Sequence, residues 1–192
     1  MVFEENEGYL FTDFWPFLLI HFGEKEERPF PSAILKTSLD ILVRSFNAGE
    51  SRGYYQGREA YQAWMRGLSK ETDFDFENDR GNVLRRLSVN DNMLCHLTDA
   101  RQAAAHWLRE NIPLMDGKEY LARIAENCQR IADRTYAFRE KVRRLSGCEI
   151  KYNTIVSAGV DTPQLRREQV RLLEEALSLD EESSSLAGQI LE

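Results

Sequence analysis

KEYLARIAENCQRIADRTYAFREKVRRL, residues 118–145, decides the fold. Leu121, Ile124, Cys128, Ile131, Thr135, Phe138, Val142 and Leu145 recur three and four apart, so a helix would carry them on one stripe. A stripe held over that length predicts a helix packed lengthwise against other helices. Gly147 follows as a stop signal. Downstream, 148–162 reads as a linker, and Thr162-Pro163 opens a last helix with proline at its first position. Val170, Leu173, Leu177, Ala187 and Leu191 supply its apolar seam, with Leu172 and Ala176 beside it. Ser183, Ser184, Ser185 and Gly188 predict fraying at its far end.

Upstream, the helical pattern covers Asp79 to Glu110, with a break expected near Ser88-Val89-Asn90-Asp91, where short polar side chains compete with the helix backbone. Met93, Leu94, Leu97, Ala100, Ala104, Trp107 and Leu108 share one side, and Pro113 ends the run. Residues 57–68, GREAYQAWMRGL, place Ala60, Tyr61, Trp64, Met65 and Leu68 on one helical face. A loop with Gly53, Tyr54 and Tyr55 precedes it, and the acidic, aromatic stretch 72–78 follows. A first helix runs from Ser32, a reasonable N-cap, through Ile34, Leu35, Ser38, Leu39, Leu42 and Phe46 to about Asn47. Ahead of it, Tyr9, Phe11, Phe14, Trp15, Phe17 and Ile20 favour two short strands at roughly 8–13 and 17–22. The expected fold is α+β and dominantly helical: an N-terminal β-hairpin packed on a bundle of five or six helices. Residues 1–147 would form the core domain, 148–162 a linker, and 163–192 a helix packing on that core or on a partner.

At 192 residues with 42% apolar and 10% aromatic side chains, the chain can bury a sizeable core. Its net charge of -7 repels phosphate backbones, so no nucleic-acid partner is expected. The three cysteines, Cys95, Cys128 and Cys148, are odd in number and contain no Cys-x-x-Cys, which favours a reducing, cytoplasmic setting. The acidic start, Met1-Val2-Phe3-Glu4-Glu5, does not resemble a secretory signal. The apolar run Phe14–Phe22 is far short of the ~20 residues that span a bilayer, so no membrane partner is expected either.

Chemistry-bearing residues are few. Cys95 and His96 are adjacent, and adjacent helical side chains point about 100° apart, so they do not easily face each other; Cys95 with His21 or His106 across the fold is the other option, against simple core packing. Cys128 sits on the stripe as inert packing. Cys148 is the candidate for a reactive surface thiol, with Lys141, Arg143 and Arg144 near enough in sequence to favour the thiolate. His96 and Asp99 lie one turn apart, but His106 falls about 15 Å along the helix, so no metal site is expected. Asp13 and Glu24 flank the expected hairpin as a possible carboxylate pair or as ordinary turn residues. Gly-rich phosphate loops and Gly-x-Ser-x-Gly are absent, and no cofactor is expected. Trp15, Tyr54, Tyr55, Tyr61, Trp64 and Trp107 are the candidates for an aromatic ligand pocket, or else for an aromatic-rich core.

Gly8 to Glu24 with its proline connector, the segment Gly57-Arg58-Glu59-Ala60-Tyr61 with Trp64 and Leu68, and Asp99-Ala100-Arg101 with Ala104 and Leu108 together resemble the C-terminal portion of bacterial proteins related to butirosin biosynthesis protein H. The stripe at 118–145 and the closing helix are similar to that group's helical tail. The resemblance implies a relation to a papain-like, C39-peptidase-like domain, whose chemistry needs a cysteine nucleophile near the N-terminus and a downstream histidine. No cysteine precedes Cys95 here, so no catalytic residue carries over.

Three functions remain: a non-catalytic interaction or accessory helical domain, a cysteine-dependent hydrolase or acyltransferase relic, and an aromatic small-molecule binding or sensing domain. The first is favoured, as a homo-oligomer or with a partner protein, through the helices at 118–145 and 163–192.

Overall fold

The computed structural model describes residues 29–51, 53–146 and 162–192. Helix α1, Pro31–Asn47, starts on proline, whose fixed φ and missing N–H suit a first turn. Ser32, expected as the cap, therefore lies inside the helix, and Phe30 takes the cap position with no side-chain bond. Two antiparallel two-residue strands follow, β1 Glu50–Ser51 and β2 Tyr54–Tyr55, pairing Glu50 with Tyr55 and Ser51 with Tyr54. The hairpin expected at 8–13 and 17–22 lies outside the described residues; the one described occupies a stretch read as loop.

Helix α2 is Gly57–Ser69, and a one-turn 3-10 helix, Glu71–Phe74, leads to α3, Phe76–Asn111. Asp75 caps α3, its carboxylate accepting the backbone N–H groups of Glu77 and Asn78 at 3.1 Å. The expected break at Ser88–Asp91 does not occur. The helix is instead interrupted at Asp79, with φ -143° and ψ 46°. The physical reason is that Asn90 and Asp91 have distant partners: Asn90 bonds Gln169 and Trp64, and Asp91 bonds Arg139. Side chains so engaged no longer compete for their own backbone. Helix α4 is Lys118–Ser146, and α5 is Pro163–Leu191 with Thr162 Oγ1 accepting the N–H of Leu165 at 3.2 Å.

The far end of α5, expected to fray, is part of the core. Ser183 and Ala187 are 1% and 0% exposed. Their small side chains let neighbouring helices approach closely, which outweighs their weak helix propensity.

Paired side chains fix the directions. Asn90–Gln169 and Arg101–Asp180 share a separation of 79 residues, so α3 and α5 run parallel. Thr98–Thr135 and Asp91–Arg139 make α4 antiparallel to α3. Arg134–Glu175 and Lys141–Glu168 make it antiparallel to α5. Helices α1 and α2 lie end to end along α5: Leu35 and Leu39 share a cluster with Ala187, whereas Tyr61 and Leu68 share one with Leu173 and Ala176. The described chain is thus dominantly helical, three long helices and a fourth rod broken at the β1–β2 hairpin.

The stripe of α4 is the inner wall. Leu121, Ile124, Cys128, Ile131, Thr135 and Phe138 are all buried, while Leu145 at its end is 58% exposed. Each buried aliphatic side chain contributes roughly 1.5–3 kcal/mol through removal from water. The core-facing row of α5 differs from the expected one. It is Arg166, Gln169, Leu173, Ala176, Asp180, Ser183 and Ala187, again spaced three and four apart, and four of the seven are polar.

Candidate functional site

Polar residues on a buried seam must find partners or cost stability. Those of α5 meet partners from three other helices, in sets near its start, at its middle and beyond. Near the start, Gln169 and Asn90 of α3 bond reciprocally at 2.7 and 3.0 Å, and Trp64 Nε1 of α2 donates to the same Asn90 oxygen at 2.7 Å. Arg166 lies over the Phe74 ring, 4.2 Å from its centroid. Further on, Asn127 of α4 donates to Ser183 Oγ at 3.3 Å and to Glu182 at 3.1 Å.

Between them lies the centre of the molecule. Asp180 accepts from Arg101 at two points, Nε to Oδ1 at 2.9 Å and Nη2 to Oδ2 at 2.6 Å. The Tyr61 hydroxyl donates to Asp180 Oδ2 at 2.7 Å. Helices α2, α3 and α5 each bring one member, so the triad forms only when the bundle does. Burial, then the negative charge of Asp180, hold the Tyr61 phenol well above its usual range, so it remains a proton donor. Burial works against the Arg101 cation, but the charge and hydrogen bonds of Asp180 outweigh it and raise its pKa. A buried carboxylate that accepts three bonds from a fixed cation and a fixed phenol is held by structural partners on two other helices. Chemically, the triad is a lock.

Of the described candidates, Cys95 and His106 stand apart from it, whereas Cys128 is close enough to feel the charges of Arg101 and Asp180. Cys95 is half-buried, its Sγ 3.7 Å from Asp99 Oδ2 on the next turn. His106 is exposed and faces Glu110 at 3.4 Å. Cys95 and His106 lie eleven positions apart on α3, about 16 Å along the axis, and do not meet. Cys128 is buried at 6% exposure, and burial pushes its thiol up to about 11. Cys148, His21, Asp13 and Glu24 lie outside the described residues. Among the described residues no three His, Cys, Asp or Glu side chains come close enough to hold a metal ion.

The aromatic candidates are likewise dispersed. Tyr61 and Trp64 point into the core, and Trp107 packs against the separate cluster around Leu35 and Leu121. Tyr54 and Tyr55 are 75% and 50% exposed on β2, and Trp15 lies outside the described residues. Reading by residue class missed Asp180, Gln169 and Ser183, although their spacing of three and four is that of a core row.

Comparison with known families, curated proteins and solved structures finds no match for this chain.

Proposed function

We propose that this protein is a non-catalytic helical interaction module, an accessory domain whose work is to hold a partner protein or a second copy. The observation that carries this reading is the closed polar seam. Among the described residues no buried side-chain nitrogen or oxygen lacks a hydrogen-bond partner. The groups best placed for acid–base chemistry are consumed by interhelical bonds. The resemblance to the helical tail of papain-like proteins supports the same reading, with a catalytic part carried by a different polypeptide. The cytoplasmic setting suggested by cysteine usage belongs to this proposal. No helix among the described residues is long and apolar enough to cross a membrane.

The apolar stripe of α4 faces α3 and α5 within the chain, so contact with a partner would use other surfaces of the bundle, those of α5 among them. Sedimentation velocity, alone and with a cell extract, tests the proposal. A species well above the 22.3 kDa monomer is expected. A solitary monomer under every condition, or a hydrolytic activity abolished by iodoacetamide, overturns it.

A further inference from the structure

Among the described residues, most arginines are committed. Arg44, Arg58, Arg101, Arg123, Arg130, Arg134, Arg139 and Arg143 pair with carboxylates, Arg109 bonds Gln129, and Arg86 bonds the Asp73 carbonyl. Arg166 is buried and engaged with Phe74. Six carry no hydrogen bond, ion pair or ring contact: Arg66, Arg80, Arg85, Arg144, Arg167 and Arg171. Three of these six, Arg66, Arg167 and Arg171, line one groove.

That groove runs between α2 and α5. It consists of two adjoining hollows of about 640 and 380 Å³ that share Ser69, Val170 and Glu174. Its walls carry five basic side chains against two carboxylates, in a chain whose net charge is -7. Its floor is apolar, from Met65, Leu68 and Val170. Arg167 and Arg171 stand one turn apart on α5, with Arg66 across the groove on α2. Exposed arginines with no intramolecular carboxylate, set along an apolar floor, present the complement of a chain that is acidic and apolar at once.

We propose that the α2–α5 groove docks an acidic, apolar-bearing peptide segment of a partner protein, with Arg66, Arg167 and Arg171 pairing its carboxylates. This rests on the interaction-module reading and names its surface and the chemistry of its partner. Two adjoining hollows on a shared apolar floor suit a peptide better than a single small anion.

Fluorescence anisotropy on the full chain tests it, with a labelled peptide of Glu and Leu at helical spacing as the probe. Two companions serve as controls: the same peptide with Gln for Glu, and one with Ser for Leu. Binding should weaken as salt is raised. It should fall by about tenfold or more in the triple variant Arg66→Glu, Arg167→Glu, Arg171→Glu. The variant Arg80→Glu, Arg85→Glu, Arg144→Glu makes the same change in net charge at the other unpaired, exposed arginines and should bind as wild type. Circular dichroism should show both folded, since none of the six makes a hydrogen bond or ion pair, and Arg144 contributes only a minor charge effect on Glu140. Equal loss in both triples reduces the effect to net charge and overturns the groove. Equal binding of the Ser-for-Leu peptide, or displacement of the probe by inorganic phosphate, makes it a simple anion site and overturns the partner assignment. Should wild type ignore the probe yet still form the larger species in sedimentation, the groove falls while the interaction reading stands. A solitary monomer that ignores the probe removes both.

Discussion

Arg101 and Asp180 meet as a two-point ion pair across 79 residues of chain, at 2.6 and 2.9 Å, with the Asp180 side chain 3% exposed. Such a pair gives little net stability over apolar residues of the same volume, yet breaking it leaves a buried charge alone. Asp180→Ala should therefore cost about 3–5 kcal/mol. For a chain of this size that is a fall in Tm on the order of 10 °C. Tyr61→Phe should cost about 1.5 kcal/mol, the scale of a hydrogen bond to a charged group. The double replacement Arg101→Met with Asp180→Leu should recover most of the single-variant loss. Urea unfolding of wild type, Arg101→Met, Asp180→Leu and the double variant, read as a double-mutant cycle, measures the coupling. Additive losses from the two positions would mean that the pair is not formed in solution.

The same residues show where a sequence reading stops. The stripe of α4 was legible because its core positions are filled by Leu, Ile and Phe, whose type and spacing agree. On α5 the two signals conflict. Arg166, Gln169, Asp180 and Ser183 hold core positions but are polar, so a reading led by apolarity slides the seam toward Val170 and Leu177, which are only half-buried. Asn90 and Asp91 looked like helix breakers because their partners lie on other helices, Gln169 on α5 and Arg139 on α4. Tyr61 and Trp64 were placed on one inward face by spacing alone, but that Tyr61 would donate to Asp180, 119 residues away, is a tertiary fact. The groove arginines had no local signature. They are distinguished by the carboxylates they lack, which only the assembled helices reveal.

Two glycines of α2 should respond to alanine in opposite ways. Gly57 has φ +51°, and a Cβ there would run into the backbone carbonyl of Phe46, which no rotamer change relieves. Gly57→Ala should cost at least about 2 kcal/mol, from left-handed strain together with the clash between α1 and α2. Gly67 lies in the last turns of the same helix, with nothing within 4 Å of an added Cβ. Gly67→Ala should stabilise by about 0.4–1 kcal/mol, by narrowing the unfolded ensemble. Thermal melts of the two variants should bracket the wild type; a shift of the same sign in both would contradict the described entry into α2.

Cys128 gives the fold an alkaline limit. Its thiol rises from an ordinary 9.0 to about 11 in the folded chain, first through burial and then through the charge of Asp180, with Arg101 opposing. A group raised in the fold contributes stability that is complete below its unfolded pKa and lost as pH climbs through the folded value. The window is therefore about pH 9 to 11, and the loss across it is roughly 2–3 kcal/mol. Above pH 10 Tyr61 adds a loss of the same sign, because its phenol too is held protonated by burial. Cys128→Ala keeps the Tyr61 contribution and removes that of the thiol. Urea midpoints followed from pH 8 to 11 should fall less steeply in the variant than in wild type. In the same range Cys95, half-buried on α3, should react with an aromatic disulfide in the folded protein, while Cys128 reacts only on unfolding. Parallel pH slopes for variant and wild type, or fast labelling of Cys128 at neutral pH, would place the thiol outside the core.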